Sequence, residues 1–374
     1  MQTFKKLLFL LSFDERKQAA LLLLMILIMA SLDMIGVASI LPFMAVLTNP
    51  SLIETNVILN YMFQFSYIFG VENNQQFLFV LGILVFIILV TSLIFRALTT
   101  YVQVRFVQMR EYSIGKRLVE GYLHQPYSWF LSRNSAELGK NILSDVGQII
   151  GGGINPAMEV IAKGTVVIAI TILLIIADPK LALIVAFLLG GSYGIIFYSM
   201  RSYVTRIGAK RLKNNQLRFL AISEAFGAAK EVKIDGLEEA YIKRFSASAQ
   251  IYAQSQASMS VVASIPRNFL EMIAFGGVIL LILYIMAQTG SFNNALPIIS
   301  LYVFAGYRLM PAMQKIYASF TVLAFVGPTL DKLTDDFRKL KPIEKNYDEN
   351  ILPFNTKITL KNIKYNYPNA SRTA

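Results

Sequence analysis

Residues 77–101 read FLFVLGILVFIILVTSLIFRALTTY, and Arg96 is the only charged residue among them. A helix needs about 20 apolar residues to cross a hydrocarbon layer roughly 30 Å thick. This stretch is therefore predicted to be a membrane-spanning helix. The sequence predicts an all-α membrane protein with six spans, because five further stretches meet the same requirement: residues 19–47, 157–177, 181–203, 269–287 and 296–325.

The composition agrees with a membrane protein and argues against several soluble classes. Only 16% of the residues are charged, whereas about 25% are charged in an ordinary soluble domain. The net charge of +12 would suggest nucleic acid in a soluble protein, but cytoplasmic loops of membrane proteins also collect Lys and Arg. We therefore expect no nucleic-acid partner. The chain has no Cys and a single His, His124, so we expect neither a disulfide nor a metal site.

The basic residues indicate how the spans are oriented. Residues 48–76 contain no Lys or Arg, whereas residues 102–156 contain six and residues 204–264 contain nine. Basic loops stay in the cytoplasm. We therefore expect a multi-pass protein of the cell membrane with both termini and both long basic segments in the cytoplasm. Each basic segment has apolar residues at helical spacing, which predicts two long intracellular helical hairpins.

These features divide the chain into regions. Residues 1–16 mix Phe and Leu with Lys, which predicts an elbow helix lying at the membrane interface. The membrane domain is predicted over residues 17–331 and includes the extracytoplasmic segment 48–76, which is either an amphipathic helix or a packed loop. A polar linker follows at residues 332–355. Residues 356–374 begin a soluble domain, since ITLKNIKYNY at 358–367 alternates apolar and polar residues like a strand.

Three motifs resemble the half-transporters of the ABC exporter superfamily, with the type IV transmembrane fold. The order and spacing of the three motifs support the resemblance more strongly than any single motif. They are SAELGKNILSDV at 135–146, KEVKIDGLEEAYIKRF at 230–245 and ITLKNIKYNYPNA at 358–370.

Four shorter stretches are similar to the subfamily of lipid-linked oligosaccharide flippases and polysaccharide or glycolipid exporters. They are DMIGVASILPF at 33–43, FRAL at 95–98, IPRNFLE at 265–271 and YRLMP at 307–311. This resemblance implies a homodimer in the lipid membrane that moves a lipid-linked glycan.

The resemblance also implies ATP and Mg²⁺ as cofactors of a nucleotide-binding domain. Tyr367 would stack on adenine, but residues 1–374 contain no G-x-x-x-x-G-K-[ST] phosphate loop. We therefore expect that domain to be truncated, with ATP hydrolysed only by the full-length translocase. The hairpin tips would couple to that domain or simply pack within the hairpins; their residues are Tyr127, Trp129, Phe130, Ala225 and Phe226.

Charges inside the predicted spans are the candidate substrate site. A charge in hydrocarbon costs several kcal/mol, so it should face a cavity or a partner. Guanidinium groups around a shared cavity would hold a pyrophosphate through paired hydrogen bonds. The alternatives are snorkelling of the arginines or pairing with Glu271 or Asp33, and for Asp33 a polar contact between helices. The candidates are Asp33, Arg96, Arg267, Arg308 and Lys315.

Other functions are open at this stage. A multidrug or peptide ABC exporter would share the fold, although the arginines argue against an apolar or acidic cavity. A secondary transporter or channel, or a membrane-bound glycosyltransferase, is a further alternative, but neither internal repeats nor a catalytic constellation is evident. A small-xxx-small pair at Gly190 and Gly194 predicts close helix packing.

Overall fold

We describe the chain from a computed structural model that covers residues 2–67, 70–71, 73–131, 133–289, 292–340, 357, 359 and 361–362. Nearly all of these residues are helical. The long helices that build the bundle are α2 (Phe13–Ala38), α6 (Asn74–Leu123), α10 (Asn155–Ala177), α11 (Pro179–Gly227), α13 (Glu238–Thr289) and α14 (Phe292–Lys339). The shorter helices are α1 (Gln2–Leu10), α3 (Ile40–Thr48), α4 (Leu52–Thr55), α5 (Val57–Ser66), α7 (Tyr127–Leu131), α8 (Ser135–Lys140), α9 (Val146–Ile149) and α12 (Ala229–Ile234).

The prediction of long apolar helices is confirmed for part of the chain. Within the described residues, four helical stretches are long and apolar enough to cross a membrane: Phe13–Thr48, Asn74–Leu123, Ser135–Ala177 and Ile299–Lys339. The predicted spans at 181–203 and 269–287 lie in α11 and α13, where not every side chain is described. The count of six spans therefore stays a prediction.

The first helix is shorter than the elbow helix predicted for residues 1–16. Helix α1 ends at Leu10, and Ser12 caps α2. Ser12 and Glu15 form a capping box, in which each side chain accepts a hydrogen bond from the other residue's backbone N–H. Asp14 and Glu15 therefore belong to the first turn of the spanning helix, where carboxylates interact favourably with the helix dipole.

Two helical hairpins continue the bundle beyond the apolar segments. Helix α6 has 50 residues, about 75 Å at 1.5 Å per residue, which is far longer than a membrane crossing. It ends just before Pro126, and α11 ends at Gly227. Gly236, with a φ of +62°, forms the turn before α13. Local turn residues thus define both hairpin tips.

The first hairpin returns to the membrane through two π-helical segments, Asn141–Asp145 and Ile150–Ile154. Lys140 and Asp145 lie at the two ends of the first segment. Both side chains are buried, and they form an ion pair at 2.7 Å. Beside it, Arg211 is 1% exposed and lies between the rings of Tyr252 and Phe325. Burial lowers the pKa of the Arg211 guanidinium.

The segment predicted to be extracytoplasmic, residues 48–76, contains two short helices that pack on the bundle. Helices α4 and α5 cover α3 and the start of α6 with a small apolar cluster. Asn56 caps α5 by accepting hydrogen bonds from the N–H groups of Ile58 and Leu59. The buried members of the cluster are Val46, Ile53, Leu59, Val71, Phe77 and Leu81.

Helix α14 runs on to Lys339, past residue 332, where the polar linker was predicted to start. Its polar residues find partners in the first hairpin. Lys332 Nζ lies 2.7 Å from Glu137 Oε1, and Asn141 Nδ2 donates to Asp336 Oδ2 at 3.0 Å. Polar composition therefore did not mark the helix end, because a neighbouring helix provides partners for these groups. The remainder of the linker and most of the predicted strand, including Tyr367, lie outside the described residues.

A glycine other than the predicted pair lies at a close approach of two helices. A Cβ on Gly208 of α11 would lie 2.1 Å from the carbonyl oxygen of Phe325 in α14. Among the described residues, a Cβ on Gly190 or Gly194 would meet nothing within 4 Å. The close packing predicted at that pair is therefore not found in the described part of the chain, where Gly190 lines an open groove between α10, α11 and α14.

Candidate functional site

A cavity of about 410 Å³ lies among α2, α3, α6, α10 and α14, at the level of the apolar segments. Most of its lining is apolar, but four charged side chains face it. The lining residues that matter here are Asp33, Leu89, Leu93, Arg96, Lys163, Phe304 and Arg308. The cavity brings together charges from four helices that are far apart in the sequence.

Asp33 is the centre of this charged group. Its side chain is 0% exposed and belongs to α2. Ser92 Oγ of α6 donates a hydrogen bond of 2.6 Å to Asp33 Oδ1, and Arg96 Nη2 pairs with Oδ2. Arg308 Nη1 of α14 lies 3.7 Å from Oδ1. One carboxylate thus interacts with two guanidinium groups.

The two arginines keep unused hydrogen-bond donors. A guanidinium group has five N–H donors. Arg96 Nε is buried and has no hydrogen-bond partner among the described residues. Arg308 is only 11% exposed, and among the described residues it has an ion-pair contact but no hydrogen bond. Because buried donors are normally satisfied, these groups are positioned to bind an anion that enters the cavity.

Lys163 is a cavity residue that the sequence reasoning missed. It lies on α10 and lines the same space as Arg96 and Arg308. Among the described residues it forms no ion pair within 4.0 Å. The signal was present in the sequence, since a lysine inside the predicted span 157–177 is as exceptional as an arginine in the others.

Two predicted site residues lie elsewhere. Arg267 does not line this cavity; its Nε lies 2.7 Å from Glu271 Oε1, one turn along α13, and its side chain is 65% exposed. That pairing was one of the alternatives for Arg267. Lys315 is exposed and is also outside the lining. Within one chain, the structure therefore groups Asp33, Arg96 and Arg308 but leaves Arg267 and Lys315 apart.

The residues predicted at the first hairpin tip differ in exposure. Tyr127 is 78% exposed and available to a partner. Trp129 is half-buried and packs on Tyr122 at a centroid distance of 5.4 Å, with the Arg133 guanidinium 4.4 Å from its ring. Phe130 packs edge-on against Trp129. Trp129 and Phe130 therefore pack within the tip, and their coupling to a nucleotide-binding domain stays a prediction.

The second hairpin tip presents an open apolar groove of about 450 Å³ formed by α11, α12 and α13. Phe226 lines this groove and is 78% exposed, while Ala225 is half-buried beside it. Exposed aromatic side chains therefore occur at both tips, Tyr127 on the first and Phe226 on the second.

The arrangement of long helices and hairpins agrees with a comparison to known protein families. A family model described as "ABC transporter transmembrane region" matches residues 19–308, which is more than three quarters of the chain. The chain belongs to this family. It is therefore a multi-pass membrane protein and carries the transmembrane domain of an ABC exporter, and the match extends from the first spanning helix to Arg308 in the cavity.

This family implies ATP and Mg²⁺ as cofactors. The described residues contain no group of three or more Asp, Glu or His side chains that could hold a metal ion. Residues 1–374 contain no G-x-x-x-x-G-K-[ST] phosphate loop.

Proposed function

We propose that the chain is the transmembrane half of an ATP-driven flippase for a lipid-linked oligosaccharide or another anionic glycolipid. The observation that carries this proposal is the group of Arg96 and Arg308 around the cavity at the level of the membrane, with unused guanidinium donors. Paired N–H groups of Arg match the oxygens of a pyrophosphate. The sequence motifs around both arginines resemble the flippase subfamily and support the same substrate.

The apolar part of the lining fits the rest of such a substrate. Leu89, Leu93 and Phe304 surround the arginines. A lipid phosphate leaving the interface needs both charge compensation and apolar contacts, because an uncompensated charge in hydrocarbon is costly. A cavity with arginines on an apolar wall provides both.

We further propose that the chain acts as a homodimer in the cell membrane with cytoplasmic termini. Six spans are too few to enclose a large cavity with access from both sides, so a second copy would complete it. ATP and Mg²⁺ would be bound by nucleotide-binding domains, including Tyr367, and their closure would move the hairpin tips. The long helices α6 and α11 are the levers that would connect this motion to the cavity.

A reconstituted flipping assay tests the proposed function. The full-length protein is placed in liposomes with a fluorescent polyprenyl-pyrophosphate-linked glycan, and translocation is followed with and without ATP. We expect ATP-dependent flipping that falls at least about tenfold in Arg308→Met, the effect of losing a charge-assisted hydrogen bond. Arg105→Met, on the exposed part of α6, is the matched control and should keep wild-type rates.

The competing functions give different results in the same assay. A multidrug exporter would transport an apolar cation with ATP and leave the glycolipid in place, and a peptide exporter would transport a peptide. Flipping that is unaffected by Arg308→Met would remove Arg308 from the substrate site. Absence of any ATP-dependent glycolipid flipping would refute the proposal.

A further inference from the structure

The charges that line the cavity do not balance. Among the described lining residues, Arg96, Arg308 and Lys163 contribute three positive charges and Asp33 contributes one negative charge. The net charge of the lining is therefore +2. Asp33 is already divided between two arginines, and Lys163 has no carboxylate partner within ion-pair distance among the described residues.

Nearby charges outside the lining do not cancel this excess. Glu159, one turn from Lys163 on α10, and Lys315 on α14 are the other charged groups that act electrostatically on Lys163. They have opposite signs, so including both leaves the net charge at +2.

Two uncompensated positive charges among apolar segments raise the free energy of the protein, and a bound anion would lower it. Charges attract strongly where the surroundings are apolar, and an unpaired cation inside a membrane is unfavourable. A ligand group with two negative charges would neutralise the cavity. A group with one negative charge would leave one cation, Lys163 or an arginine, without compensation.

We propose that the cavity selects a doubly charged pyrophosphate diester over a singly charged phosphate diester, and that Lys163 is the residue that determines this selectivity. The inference rests on the proposed function and specifies its substrate more narrowly. Arg96 and Arg308, held around Asp33, bind the first charge. Lys163, on the separate helix α10, provides the second positive charge. A singly charged phosphate diester has no second negative charge to pair with it.

Binding to two synthetic probes tests this. The full-length protein in nanodiscs is titrated with farnesyl-pyrophosphoryl-N-acetylglucosamine, a pyrophosphate diester, and with farnesyl-phosphoryl-N-acetylglucosamine, a phosphate diester. We expect wild type to bind the pyrophosphate at least about tenfold more tightly, as a single charge-assisted contact would give. Inorganic pyrophosphate should compete with the pyrophosphate probe only at large excess, because it has no apolar part.

Variants of Lys163 should change the ratio of the two affinities. Lys163→Met is expected to lower the affinity for the pyrophosphate probe about tenfold and the affinity for the phosphate probe less than about threefold. The preference for pyrophosphate would then be largely lost. Lys163→Arg keeps the charge and should keep the preference. Lys180→Met removes an exposed lysine outside the cavity and should change nothing. Lys163→Gln replaces the Met variant if that one does not give a monodisperse protein.

The failure of this inference differs from the failure of the proposed function. An unchanged affinity ratio in Lys163→Met and Lys163→Gln overturns the role of Lys163, even if Arg308→Met still weakens both probes. Competition by inorganic pyrophosphate at concentrations similar to the lipid probe would overturn a lipid-linked ligand. Binding of both probes that is insensitive to Arg96→Met, Arg308→Met and Lys163→Met would overturn the proposed function as well.

Discussion

Two buried ion clusters join the same pair of helices, α2 and α6, and they are built differently. In the first, Glu15 pairs with Arg110 at 2.6 Å, and both side chains are less than 10% exposed. Glu15 also accepts hydrogen bonds from the N–H of Ser12 and from Ser113 Oγ, while Arg110 donates to the Phe106 carbonyl and to Gln18. One positive charge meets one negative charge, and neighbouring groups provide additional hydrogen bonds.

The second cluster, around Asp33, has more cations than carboxylates and borders a cavity. The difference indicates two roles. A cluster of one acid and one base is electrically balanced and fastens two helices together. A cluster with surplus positive charge beside a cavity keeps that charge for an anionic ligand that enters from outside.

The largest expected effect comes from breaking the balanced cluster. Arg110→Met leaves the Glu15 carboxylate buried without its cation, and such losses typically cost about 3–5 kcal/mol of stability. Thermal unfolding of the purified protein in detergent should show a clearly lower midpoint. Arg105→Met, on an exposed face of the same helix, is the control and should unfold like wild type. An unchanged midpoint for Arg110→Met would show that this cluster does not fasten the helices.

A smaller effect is expected from the contact that fixes α14, the helix that carries Arg308. Gly208→Ala would place a Cβ 2.1 Å from the Phe325 carbonyl oxygen, and overpacking of this kind costs about 1–3 kcal/mol. Gly115→Ala has open space around its Cβ and should be neutral or slightly stabilising, because Ala favours helix. Equal thermal stability of the two variants would contradict the close approach of α11 and α14.

The smallest change in stability is expected at the unbalanced cluster. Arg308→Met removes a cation that has a 3.7 Å ion pair but no hydrogen bond among the described residues, and it also relieves repulsion with Arg96. We expect the stability to change by less than about 1 kcal/mol, the upper range of a weakly bonded ion pair. The measurement is the same unfolding curve. A loss as large as that of Arg110→Met would show that Arg308 is structural.

Several parts of the molecule could be predicted because they depend on neighbours in the sequence. The apolar run at 77–101 is helical, and the hairpin tips lie where Pro126, Gly227 and Gly236 interrupt helices. The ion pair between Arg267 and Glu271 was among the alternatives, since residues four apart share a helix face. Interactions between residues close in the sequence can be predicted from a short stretch of the chain.

The composition of the site could not be predicted in the same way. Asp33, Arg96, Lys163 and Arg308 come from four helices, and nothing in their spacing shows that they share one cavity. The same limit applies to Gly190 and Gly194, where a plausible motif meets none of the described residues closely while Gly208 makes a close contact. It also explains the end of α14, where partners in the first hairpin keep a polar segment helical.

By itself, the sequence determined that this chain contains membrane-spanning helices and where the hairpins turn, because hydrophobicity and turn preference are properties of consecutive residues. Only the tertiary structure decided which charges meet, which glycine is crowded and which aromatic side chains remain exposed. The physical reason is that burial and ion pairing depend on how helices pack, and packing joins residues separated by hundreds of positions in the chain.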